Sequence, residues 1–293
     1  MKTLITGSTG HLGSATIAYL LNKVSVNKIA ALARNKEKSE TLKEKGIDVR
    51  IGNYDDYDSL VKAFQGIDKL LLISSSEIGS RAAQHVNAIN AAKEAGVKYI
   101  VYTSFIRQKD DPDSALWFIA KDHVETEEHL VNCGIPYTLF KNGFYMDMIT
   151  DFIGENVLET QTVFLPAKEG KVNFALRKEI AEALANVLTS EGHENKVYNI
   201  GGEITVSFGE IADFLSEISG KKINYVSPDA ETYKQELAKH NVPEMYINMF
   251  AAFAIAFSEN AMDVPSNDLT ELLGRKSMEV KNFLSGIFST TNN

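Results

Sequence analysis

Three glycines mark the stretch of this chain with the most chemical content. Thr6-Gly7-Ser8-Thr9-Gly10-His11-Leu12-Gly13 follows a short β-branched run and opens a helical pattern. Gly7 permits a tight turn, Gly10 lets backbone come close to a pyrophosphate, and Gly13 lets the helix pack near the strand. The helix start offers unpaired N–H groups and a partial positive charge to an anion. In this strand-to-helix setting the pattern reads as a dinucleotide loop. About 20 residues on, a site for NAD usually carries Asp or Glu to accept from the ribose 2′-hydroxyl. Here that strand ends Ala31-Leu32-Ala33-Arg34-Asn35-Lys36. Arg34 suits a 2′-phosphate instead, which favours NADPH.

The remaining candidates lie at strand ends, where open doubly wound sheets bind their ligands. The fourth strand runs into Ser74, Ser75 and Ser76, small polar residues able to border a ribose. The third runs into Asn53 and Tyr54, which could edge the adenine, while Asp55 could cap the next helix. The sixth runs into Lys141, Asn142, Gly143, Phe144 and Tyr145, towards the nicotinamide end. An expected pair is missing. Short-chain dehydrogenases acting on alcohols carry Tyr-x-x-x-Lys after the fifth strand, the Tyr moving the hydroxyl proton. The nearest match is Trp117-Phe118-Ile119-Ala120-Lys121, and an indole is no acid–base catalyst. His123, Lys121 and Tyr145 are the alternatives for contact with substrate. His123 titrates near neutrality unless perturbed, and its plainer reading is a structural or surface histidine. Glu125, Glu127 and Glu128 read as a solvated helix face. No metal-ligand spacing is evident.

These residues need a scaffold of strands with helices between them. Strands are expected at residues 3–6, 28–33, 48–52, 69–73, 98–103 and 137–141. Helices are expected at 12–22, 37–45, 56–64, 81–95 and 117–133, the last two closed by Gly96 and Gly134. Such alternation, with strands apolar throughout, predicts an α/β fold: a doubly wound parallel Rossmann sheet with helices on both faces. Residues 1–145 form this core. Residues 146–293 form a smaller, mainly helical subdomain, with segments returning to the core. Its helices are expected at 178–188, 208–218, 243–257 and 277–287, with strand-like pieces at 197–200 and 223–226. Tyr246, Met249, Phe250, Phe253 and Phe257 recur at helical spacing, so core packing is the default. The wall of a flat apolar pocket is the alternative.

Composition excludes other classes. Thirty Lys and Arg against 39 Asp and Glu give a net charge of −9 over 293 residues. That balance gives no global attraction to nucleic acid or anionic membranes. Cys133 is the single cysteine, so neither an internal disulfide nor a cysteine-rich metal site can form. No apolar run is long enough to cross a bilayer. The opening MKTLITGSTG meets glycine and polar residues too early for a secretory leader. A cytoplasmic location is expected, and a homo-oligomer is allowed.

The glycine spacing, GxxGxxG, is familiar from short-chain dehydrogenase-type domains. Together with LARN, KLLLISSSEIGSRAAQH, NAINAAKEAGVKYIVYTS, HVETEEHL, GIPYTLFKNGFY and EGHENKVYNIGG, it resembles the NmrA-like atypical short-chain dehydrogenase/reductases, their quinone- and triphenylmethane-reducing members above all. The resemblance implies that Gly7, Ser8, Thr9, Gly10, His11 and Leu12 hold the pyrophosphate and Arg34 the 2′-phosphate. It implies that Ser74, Ser75 and Ser76 line the ribose, and that Thr138, Leu139, Phe140, Lys141, Asn142 and Gly143 flank the nicotinamide. Lys141 stands where these relatives usually carry Arg, and a lysine cannot make Arg's bidentate contact. The implied reaction is hydride transfer from NADPH to a quinone or similar flat acceptor. The reduced acceptor is an aromatic oxyanion that water can protonate, so no catalytic Tyr is required. The alternative is an NADP(H)-binding redox sensor without turnover. A sugar-nucleotide epimerase, whose chemistry needs the Tyr, ranks last.

Overall fold

The computed structural model describes residues 1–289. Its centre is a seven-stranded parallel sheet. The strands are β1 (Thr3–Ile5), β2 (Ile29–Ala33), β3 (Asp48–Ile51), β4 (Lys69–Leu72), β5 (Tyr99–Phe105), β6 (Tyr137–Asn142) and a last one at Lys196–Ile200. Their spatial order is Lys196–Ile200, β6, β5, β4, β1, β2, β3. Helices α1 (His11–Leu21), α2 (Glu40–Glu44), α3 (Tyr57–Phe64), α4 (Arg81–Glu94) and α5 (Trp117–Asn132) connect the first six. The order reverses between β1 and β4, which opens a crevice at their carboxyl ends.

Alternation of side chains explains why the strands are apolar throughout. Leu4, Leu70, Leu72, Ile100, Tyr102 and Leu139 enter the core beneath α3, α4 and α5. Their neighbours Ile5, Leu71, Val101 and Phe140 enter the opposite core with α1 and the helix Arg177–Thr189. Each strand thus feeds two cores at period two. Gly96 and Gly134 take positive φ just past the ends of α4 and α5, as helix terminators do. The cap of α3 is Asp56, whose carboxylate accepts from Ser59 N–H; Asp55, the expected cap, instead accepts from the Gln84 amide.

The second half returns to the sheet. Lys196–Ile200 pairs with β6 in parallel, Val197 opposite Leu139 and Ile200 opposite Asn142. Its other elements enclose a third core, where Phe144, Phe152, Phe174, Phe208, Phe253 and Phe257 meet mostly edge to face. The aromatic helix Glu244–Ser258 packs there, as its periodicity predicts. Sequence reading missed the helices Ala230–Lys239 and Asp268–Leu273.

Fully buried Asn173 ties together segments of the second half that are distant in sequence. Its amide donates to the Gly202 and Val264 carbonyls and accepts from Gly202 N–H. Its backbone carbonyl accepts from Phe144 N–H, and its N–H donates to Met262. A Cβ on Gly143 would stand 2.8 Å from that carbonyl oxygen, so a side chain there would push the two segments apart.

Candidate cofactor site

The glycine loop lies at the crevice. Gly7 has φ +57°, and Gly10 N–H closes a turn onto Gly7 carbonyl at 3.0 Å. A Cβ on Gly13 would sit 2.3 Å from that same carbonyl oxygen, so only glycine lets α1 lie this close. Gly10 caps α1 without any side-chain hydrogen bond, and the first turn contains no acid. The N-terminal N–H groups of α1 are therefore open to an anion, and this bare cradle fits a pyrophosphate. Gly7, Thr9, Gly10 and His11 are exposed, while Leu12 is in the core. Ser8 is buried, its hydroxyl donating to Leu32 carbonyl at 2.7 Å, so only its backbone is available to a phosphate.

Arg34 stands exposed at the end of β2. Tyr54 does not reach outward to an adenine. Its hydroxyl lies 2.5 Å from Thr6 Oγ1 and 2.9 Å from Ile73 carbonyl oxygen, one proton serving the two contacts, and ties the end of β3 under the crevice floor. Burial pushes that phenol's pKa far up.

The serine loop after β4 is clamped from below. Ser74 N–H donates to Thr103 Oγ1 at 3.0 Å. Ser75 N–H donates to His85 Nε2 at 2.9 Å, and Ser75 carbonyl accepts from Arg81 Nε at 2.6 Å. Ser76 is exposed. His85 Nε2 accepts, so this ring is neutral with its proton on Nδ1, facing Thr126 Oγ1 at 3.0 Å. Burial, then the Arg81 charge, lowers its pKa to about 3.

His123 belongs to the same buried network and does not face the crevice. Its Nε2 lies 3.3 Å from Arg81 Nη1, which can only donate. Its Nδ1 therefore carries the proton and meets the Tyr102 hydroxyl at 2.7 Å. Burial first, then Arg81, His85 and Arg107, holds His123 neutral, well below the usual histidine range. It braces the wall behind the serine loop and is not poised as an acid. Lys121 is exposed, off the inward stripe formed by Ala120, His123, Thr126, Glu127 and Leu130. The residue four before His123 is Ile119, half-buried against the third core.

At the ends of β5 and β6 a carboxylate that the sequence suggested was solvated proves to be buried. Glu127 accepts a bidentate pair from Arg107 at 3.0 and 2.9 Å and a hydrogen bond from Ser104 Oγ, and lies 3.2 Å from Lys141 Nζ. The inward helical stripe was the available signal, outweighed by the acidic run around it. Lys141 is partly exposed, Asn142 and Gly143 are buried at the carboxyl end, and Tyr145 lies under the Arg177 guanidinium, 4.7 Å from its ring centre. Neither amide atom of Asn142 makes a hydrogen bond of good geometry, though the side chain helps favour the ionised form of Tyr145, whose pKa burial raises overall. Thr138, Leu139 and Phe140 must be removed from the expected set. Leu139 and Phe140 fill the two cores, and Thr138 bonds Tyr99 hydroxyl at 2.5 Å and His193 carbonyl near the amino end of β6. At about 3.3 Å per residue, Thr138 lies roughly 13 Å from Asn142.

Comparison with known proteins follows this geometry. The model of the NmrA-like family matches residues 1–284. The chain is 36% identical over 290 residues to quinone oxidoreductase 2 of Escherichia coli, covering 98% of this chain and 99% of that one. Among solved structures, an Escherichia coli NADPH-dependent quinone oxidoreductase complexed with NADPH superposes with a TM-score of 0.90 at 37% identity, covering 98% of this chain and 99% of that one. Triphenylmethane reductase of Citrobacter sp., complexed with NADP(H), superposes equally well, at 0.90 and 35% identity, with 98% and 99% covered. Among the described residues no helix is long and apolar enough to cross a membrane, and no cluster of His, Cys, Asp or Glu could hold a metal.

Proposed function

This chain belongs to the NmrA-like family, and from that premise and the geometry of the crevice we propose that it is an NADPH-dependent reductase of quinones and similar flat conjugated acceptors. The observation that carries this reading is the uncapped α1 N-terminus beneath Gly7 and Gly10, facing the same crevice as Arg34.

Bound NADPH supplies the hydride. The chain's own residues bind and orient. Backbone N–H groups of the glycine loop hold the pyrophosphate, and Arg34 forms charge-assisted bonds to the 2′-phosphate. The clamped Ser74–Ser76 segment walls the ribose, with His85 and Arg81 keeping its backbone in place. Asn142 and Gly143 lie towards the nicotinamide end. Lys141 is a partly exposed cation there, held by Glu127, and can donate to the oxyanion of a reduced acceptor. The neutral, enclosed His123 supports a reaction that needs no enzymic acid. Catalysis is then mainly the holding of two flat groups in contact. The same reading places the protein in the cytoplasm, acting on a small molecule rather than on nucleic acid, with a homo-oligomer compatible with it.

The test is absorbance at 340 nm with NADPH or NADH, with and without a small benzoquinone, against an enzyme-free control. Consumption of NADPH that requires both enzyme and quinone is expected. Arg34→Ala should weaken NADPH far more than NADH. Tight NADPH binding with flat traces would replace the reductase by a nucleotide sensor.

A further inference from the structure

The end of β2 lacks the carboxylate that would accept from a ribose 2′-hydroxyl, but the fold brings one there from 43 residues away. Glu77, on the loop between β4 and α4, places Oε1 3.5 Å from Arg34 Nη1. This carboxylate is anchored. Its Oε2 accepts from Gln84 Nε2 at 2.8 Å, and its backbone N–H donates to Ser75 Oγ at 3.1 Å. Gln84 is itself buried, with Nε2 shared between Glu77 and Asp55, at 3.0 Å from Asp55 Oδ1, and with its Oε1 lacking a partner. Ser75 in turn is fixed by His85 and Arg81. Glu77 is therefore a carboxylate held beside Arg34, over the half of the sheet where a dinucleotide places its adenosine.

The two side chains make opposite demands. A 2′-phosphate seeks Arg34 but must break the Arg34–Glu77 pair and enter beside a negative charge. A 2′-hydroxyl can donate to Glu77 while that pair persists. Lys36 and Lys38, exposed on the segment after β2, add positive charge, and Asp55 behind Gln84 adds negative charge. We infer that Glu77 is a specificity-determining residue: it supplies the carboxylate missing from β2, admits NADH as a second cofactor and restrains the preference for NADPH. This rests on the proposed role of Arg34.

Both side chains are substantially exposed, so the effect is one of several-fold. Dissociation constants for NADPH and NADH should be measured on the wild-type protein, Glu77→Gln and Arg34→Ala, for instance by nicotinamide fluorescence. Glu77→Gln keeps an acceptor for Gln84 and should raise the NADPH-over-NADH preference about five- to tenfold, tightening NADPH and loosening NADH. Glu77→Asp, which withdraws the carboxylate by one methylene, should shift the preference the same way by less, and serves if the first variant misfolds. An unchanged or reduced preference in the Glu77 variants, with Arg34→Ala lowering it, overturns the role of Glu77 and leaves that of Arg34 standing. An unchanged preference in Arg34→Ala removes the premise itself.

Discussion

Acidification from about pH 7.5 to about pH 5.5 should cost the fold about 2.7 kcal/mol through two histidines alone. His85 and His123 are both buried and neutral, one lowered to about 3 and the other well below its usual value. In the unfolded chain each titrates near 6.5. Between these values the unfolded state binds the additional protons. Stability is therefore full above about pH 6.5 and falls as pH drops through it, by up to about 1.4 kcal/mol per unit for each ring. At about pH 5.5 an unfolded histidine is roughly ten parts protonated to one, worth about 1.4 kcal/mol, and two rings double it. Partial burial also lowers His129 and His193, which add in the same direction. Urea unfolding across this range, read by far-UV circular dichroism, measures the slope. Replacing His123 by Gln should remove about half of the decline contributed by the pair, whatever it does to stability at neutral pH. A flat profile between the two pH values, or an unaltered slope in His123→Gln, would refute the claim that both rings are enclosed as neutral species.

Two further substitutions test the scaffold. Gly13→Ala drives a Cβ to 2.3 Å from Gly7 carbonyl oxygen, so either α1 or the loop must move. A loss of about 2 kcal/mol in unfolding, after the helix-propensity gain of alanine, and at least about tenfold weaker NADPH binding are expected; unaltered affinity would remove the loop from the cofactor site. Asn173→Ala takes the partner from the Val264 carbonyl, while Gly202 N–H still donates to Phe174 carbonyl and Gly202 carbonyl still accepts from Ser266 N–H. It should cost about 1–3 kcal/mol by chemical denaturation, and a loss below about 0.5 kcal/mol would mean that water takes over this bond.

What the sequence reveals and what it hides divide along a physical line. The sheet and its helices are legible because their signals are local: apolar runs of strand length, Gly96 and Gly134 after helical stretches, and a glycine loop where a strand turns into a helix. The buried polar framework is not local. Glu127 sits among acids that face water, and only contact with Arg107 and Lys141, 20 and 14 positions away, sets it apart. Asn173 has no motif at all; its partners lie 29 and 91 residues off. The same distinction explains the misplaced Thr138, Leu139 and Phe140. A strand reads as one unit in sequence, but only its carboxyl end reaches the crevice, so a contiguous block that matches a family in letters spans both site and core. Cofactor choice follows this rule most sharply. Arg34 on its own strand argues for a phosphate, while the carboxylate that competes for it arrives on Glu77 from another crossover. Specificity at that position is thus set by the meeting of two loops, and a reading of either segment alone gives half of the balance.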